Sequence, residues 1–151
     1  MKNKIKTMDG LDKILEITED YVPFYIAELL AEKGFDIPLK TAYNADKKAF
    51  ETNELQNFNG TRKQKTPGYA RPTVQMVCKW LRVKHNISLF VYPTSSYNKN
   101  YGEWEGGACW IAENCSVIFY SNGHALFGDT YEQTLNELIQ YVLIHIIHTK
   151  E

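Results

Sequence analysis

The chain has 151 residues, of which 44% are hydrophobic and 13% aromatic, with a formal net charge of −1. These values fit one globular domain with a real core and exclude a disordered chain. There is no apolar run of about eighteen residues to span a membrane, and three cysteines without framework spacing do not suggest a disulfide scaffold.

Charge is unevenly spread. Residues 55–102 hold eight Lys or Arg and no acid, whereas residues 103–151 hold seven acids and one Lys. Residues 1–54 are mixed, with eight basic and eleven acidic side chains. Such segregation suits an acidic partner for the middle of the chain, or pairing between its halves. The basic start, Met1 to Lys6, is followed by no apolar signal region, so a cytoplasmic location with reduced thiols is expected.

Residues 1–18 read as a charged lead-in to a single domain over 19–151. Glu19 to Lys33 has a helical pattern, with Phe24, Ile26, Ala27, Leu30 and Ala31 apolar, Pro23 near the start and Gly34 as the stop. Phe35 can pack back on the last turn. Leu39 to Tyr43 and Lys48 to Thr52 suggest a small hairpin around Asn44-Ala45-Asp46. Asn53 to Arg71 is polar and too long for a plain connection.

The stretch Thr73 to Asn86 predicts the central helix. Thr73 suits its N-cap and Asn86 its C-terminal cap. Helical spacing gives it two apolar stripes: Val74, Val77, Cys78, Leu81 and His85 on one side, and Met76, Trp80 and Val83 on the other. Gln75, Lys79 and Arg82 lie between them, facing water. Such a helix is either covered on both sides or keeps one stripe for a partner.

Ile87 to Tyr92 is the clearest strand. Pro93 to Gly102 is a second long loop. Gly107 to Ala112 and Cys115 to Ser121 predict two strands joined at Glu113-Asn114, which sets Trp110 opposite Val117. Asn122-Gly123 signals a turn into a short partner strand at His124 to Phe127. Asp129-x-x-Glu132 and Thr130-x-x-Gln133 are capping boxes for a last helix. Its apolar face is Tyr131, Leu135, Leu138, Ile139, Val142 and Ile146. The fold class is α+β: an N-terminal helix and small hairpin, a central helix, a three- to four-stranded antiparallel meander, and a C-terminal helix packed on the sheet.

Three blocks carry a resemblance. Tyr21 to Ala27 with Leu30 and Gly34-Phe35-Asp36 is one. Pro72-Thr73 followed by Trp80-Leu81-Arg82-x-Lys84-His85-Asn86-Ile87 is the second, and Thr130 to Leu135 the third. Together they resemble an uncharacterised family of small proteins from bacteriophages, prophages and mobile elements of gut bacteria. The resemblance implies a phage-related origin, in a host cell or associated with the virion, and no activity. The helix–three strands–helix order is also similar to a double-stranded-RNA-binding domain. That family needs basic residues where this chain has Asp129, Thr130, Tyr131 and Glu132, so its activity is not carried over.

No catalytic set assembles from the residues. In the predicted register Cys109 and Cys115 lie on opposite faces of the sheet and cannot share a bond or a metal. Cys78 packs as a small hydrophobe. His145 and His148 have ligand spacing, but nothing nearby completes a site, so no metal or cofactor is expected. Glu103 and Glu105 flank Trp104 in a glycine-bearing loop. Such a loop can in principle hold a sugar or a cation, but two Glu at i, i+2 also occur in many solvated loops, and the second carboxylate that a glycosidase needs across a cleft is not readable. The tentative binding residues are Arg62, Lys63, Lys65, Tyr69, Arg71, Lys79, Arg82, Tyr97, Tyr101 and Trp104, cations interleaved with aromatics as single-stranded nucleic acid requires. The leading expectation is a non-enzymatic module for an unidentified protein partner. The alternative is a nucleic-acid-binding accessory factor using segment 62–99. Oligomeric state is left open.

Overall fold

The computed structural model describes residues 19–60, 68–94, 99–111, 116–118 and 126–148. The expected lead-in at 1–18, the turns at Glu113-Asn114 and Asn122-Gly123, Cys115 and His124 lie outside them.

The central helix forms where its caps place it. Thr73 is extended, and its hydroxyl accepts from the Met76 N–H at 3.3 Å. Asn86 closes the helix in the left-handed region at φ 57°. Between them α2 spans Val74–His85 and buries Val74, Val77, Cys78, Trp80 and Leu81. Both stripes therefore reach the core, but unequally. Trp80 is buried, while Met76 and Val83 of the same stripe are 37% and 68% exposed.

The helix before it, α1, spans Phe24–Glu32 and starts five residues later than the pattern alone predicts. The preceding residues are held extended instead. Val22 donates to the Pro72 carbonyl at 3.0 Å, Val74 donates to that of Asp20 at 2.8 Å, and Tyr21 bridges Thr73. This strap ties the entries of α1 and α2 together. Gly34, at φ 85°, ends α1 as expected, and the Phe35 N–H returns to the Leu30 carbonyl at 2.9 Å.

The expected hairpin is β1 (Leu39–Tyr43) with β2 (Ala49–Gln56). The Asn44 carboxamide oxygen accepts from the N–H groups of Asp46 and Lys48, which shapes the turn. The polar segment 53–71 is less of a loop than its composition suggests. Its first residues extend β2, and Tyr69–Ala70 forms β3 on the other edge of β1, giving the order β2-β1-β3. Asn59 anchors the part between, donating to the Phe35 carbonyl at 3.0 Å and accepting from Ala70 N–H at 3.1 Å.

The second sheet contains β4 (Ile87–Pro93), β5 (Trp104–Trp110), β6 (Ser116–Ile118) and β7 (Leu126–Gly128). The order is β4-β5-β6, with β7 also paired to β5. Two details differ from the expected strands. Trp110 faces Ser116, not Val117, so the register is one residue off, and the opposite-face argument for Cys109 and Cys115 loses its basis. Strand β7 pairs with Trp104–Gly106 of β5, beyond the stretch that β6 occupies, and both run antiparallel to β5. They therefore point the same way and are not the arms of a tight hairpin.

Helix α3 (Tyr131–His145) is capped by the Thr130 hydroxyl, which accepts from Gln133 N–H at 3.1 Å. It packs on β4, β5 and β7 and against α1. One core cluster joins α1, α2, α3 and both sheets, so the α+β architecture is as expected. The approach of α3 to the sheet depends on Gly106. A Cβ there would come within 2.7 Å of Leu138 Cδ1 and 2.5 Å of the Phe90 carbonyl oxygen.

Gly106→Ala should therefore lower stability by about 1–3 kcal/mol through overpacking, read as a lower urea midpoint. Asn86→Gly, which keeps the left-handed cap, should leave the midpoint nearly unchanged.

Candidate functional site

Residues 76, 80 and 83 follow each other at helical spacing, so their side chains line one side of α2. Phe35 covers the middle of that line, its ring edge-on to Trp80 at 5.4 Å. What remains is a groove of about 280 Å³ lined by Ile37, Met76, Lys79, Trp80, Val83 and Lys84. Trp80 forms its floor, Met76 and Val83 are exposed apolar contacts, and the two lysines stand at the rim. Helix α2 carries no acidic residue, and Arg82 is exposed beside the lysines. Cations near the C-terminal end of a helix complement its dipole, so this surface stays positive without weakening the helix.

The other tentative binding residues do not converge there. Arg71 is held between two rings, its guanidinium carbon 3.9 Å from the centroid of Tyr21 and 5.5 Å from that of Tyr43. Its backbone is tied to Thr41 of β1 in both directions. Tyr69 is half-buried, edge-on to Phe24 at 5.4 Å. Trp104 is half-buried against Tyr131 at 5.5 Å. Tyr101 is 70% exposed and lies on Phe127, with centroids 5.4 Å apart. Arg62, Lys63, Lys65 and Tyr97 lie outside the described residues. Lys79 and Arg82 thus belong to the α2 surface, while Tyr69 and Arg71 serve packing between α1 and the first sheet. Ile37 was missed by sequence reasoning, because a lone Ile after a helix stop carries no signal for the helix it will meet.

A second cleft, of about 410 Å³, opens where the ends of α1, α2 and α3 meet, with Glu32, Asp36, His85, Trp110 and His148 in its wall. His85 is edge-on to Trp80 at 4.6 Å, and His145 packs on Tyr141 at 4.6 Å. Among the described residues no three His, Cys, Asp or Glu side chains are placed to hold a metal ion. Cys78 is buried under α2, and that burial pushes its thiol pKa up, against an opposing pull from Arg82.

A thiol whose pKa is raised by folding stays neutral in the native state after the unfolded chain has begun to ionise. Stability from this source is intact below the ordinary thiol range, about pH 8.5, and falls as pH rises through it. Urea midpoints should therefore drop between mildly and strongly alkaline pH, and drop less in Cys78→Ala. An equal drop in both proteins would show that the thiol is not the titrating group.

No protein-family model matches the chain, and no curated protein or solved structure matches it significantly.

Proposed function

We propose that this chain is a small non-enzymatic protein-binding module of phage or mobile-element type, acting in the host cytoplasm on a host or virion protein. It holds its partner in the α2 groove. The observation that carries the reading is the pair Met76 and Val83, exposed on either side of buried Trp80 in an apolar groove with lysines at its rim. Exposed apolar side chains framed by polar ones suit protein contact. The rim selects a segment with apolar anchors at helical spacing and Asp or Glu beside them. The phage or mobile-element origin rests on the three residue blocks described above.

Binding of nucleic acid at the same helix is the competing reading, since Lys79, Arg82 and Lys84 also suit phosphates. Stacking of bases needs open aromatic rings, and the ring on this surface, Trp80, is 4% exposed. That favours protein.

Selection from a randomised peptide display library against the immobilised chain should enrich peptides combining apolar anchors with acidic residues. Val83→Glu removes an anchor and offsets the rim charge, so enriched peptides should lose about tenfold or more in affinity, ~1.4 kcal/mol. Its effect on folding should be small, because the position is exposed. Peptides that bind Val83→Glu as well as the parent would overturn the reading. So would salt-dependent binding of oligonucleotides in place of any enrichment.

A further inference from the structure

The second sheet turns one face to α3, and the opposite face carries a charge arrangement that its packing does not need. Residues directly opposite one another across strands share a face. Tyr92 of β4, Glu105 of β5 and Phe127 of β7 therefore form one row across the sheet. Glu105 is 7% exposed although it lies on the face away from α3, and the Tyr92 hydroxyl is hydrogen-bonded to its carboxylate. Its cross-strand neighbours on both sides are aromatic. Phe90 stacks on Tyr92 at 6.1 Å and 14°, and Tyr101 lies on Phe127 at 5.4 Å, so each wall is a pair of rings.

One step along the ladder, Thr94 N–H donates to the Glu103 carbonyl at 2.9 Å, which keeps these two residues in register. They continue the ladder one position past its last pair, Pro93 and Trp104, which puts them on the side of Tyr92 and Glu105. Thr94 is 8% exposed, and among the described residues its hydroxyl oxygen has no hydrogen-bond partner. The described positions of this face on β4, β5 and β7 include no Lys, Arg or His. Among the described residues, two carboxylates, one buried, and a buried hydroxyl without a partner thus stand between aromatic walls, and no described position of these strands on this face brings a positive charge.

We infer that this face is a recognition site for a guanidinium group, an arginine presented by a partner protein. A buried carboxylate is costly unless a cation meets it, and aromatic faces attract that cation further. Among the described residues no three His, Cys, Asp or Glu side chains are placed to hold a metal ion, and the ring faces offer a hard cation no oxygen ligands. A quaternary ammonium has no donor for the carboxylates or the hydroxyl. A guanidinium has five donors in a plane, stacks on rings, and is weakly hydrated, so it satisfies the oxygens and the walls together. The site is separate from the α2 groove and does not rest on its being a docking surface.

The test is a titration of the isotope-labelled full chain with the blocked tripeptide acetyl-Gly-Arg-Gly-amide, followed by NMR. The controls are the same peptide with citrulline or lysine in place of arginine. Saturable shifts at Tyr92, Glu105 and Phe127, absent with citrulline and weaker with lysine, are expected. Glu105→Gln should weaken binding at least tenfold while the signals of Met76 and Val83 stay in place. Tyr92→Phe, which removes one hydroxyl, supplies a second variant if the first does not fold, and it should also shift the affinity. Equal response to citrulline, no response at these three residues, or unchanged affinity in the variants overturns the site. Equal or tighter lysine binding overturns the choice of guanidinium. Shifts that grow with protein concentration alone would assign the face to a second copy of this chain and overturn the separate partner.

Discussion

The burial of Trp80 by Phe35 is the contact on which the layout around α2 depends. Gly34 turns the chain back at the end of α1 and delivers Phe35, fully buried, against the indole. An aromatic pair of this kind adds about 0.5–1.5 kcal/mol beyond the area it buries. It also sets what is left open. A single ring covers about one turn of a helix, so Met76 and Val83, on either side of Trp80, remain uncovered. Ile37, two residues after Phe35, then becomes a wall of the groove rather than part of the core. The groove is thus a consequence of where one turn ends, and not of any irregularity in α2.

Periodicity made the helices legible, because their stripes and caps are local. Thr73, Asn86, Thr130 and Gly34 each act within a few residues of their place in the chain, and the structure finds all four in those roles. It could not say which part of the second stripe of α2 would be covered, since the cover comes from beyond α1. The start of α1 was misplaced for the same reason: Asp20 to Val22 are drawn into a strap with Pro72 to Val74. Arg71 read as an open cation because Tyr21 and Tyr43, which hold it, are remote in the chain. The register of β5 against β6 was predicted one residue off, from a guess at a two-residue turn. A one-residue change reverses every side-chain face. It removed the argument about the cysteines without touching the fold class.

Glu103-Trp104-Glu105 shows the same limit on the second sheet. Read as a loop, its carboxylates are solvated and unremarkable. Placed at the start of β5, alternation sends Trp104 toward α3 and both Glu side chains to the other face. The glycines that follow Glu105 shape both faces of the strand. Gly106 lets α3 approach one face, while a Cβ at Gly107 would come within 2.5 Å of the Phe90 ring on the other. Phe90 can therefore lie down over the strand, stack on Tyr92 and direct that hydroxyl to the carboxylate. The glycine pair, which has no phosphate-binding pattern, is what arranges the rings.

Part of the uneven charge of the sequence lies, among the described residues, on separate surfaces. Lys79, Arg82 and Lys84 are exposed on α2, whereas Glu103 and Glu105 lie on the face of the second sheet turned away from α3. These residues give one small chain of net charge −1 a cationic apolar groove and an anionic aromatic face. Like charges brought together at an interface cost several kcal/mol, so a ligand suited to one of these surfaces is disfavoured at the other. A partner carrying both an acidic amphipathic segment and an arginine would, on the two proposals above, be matched by charge at each surface.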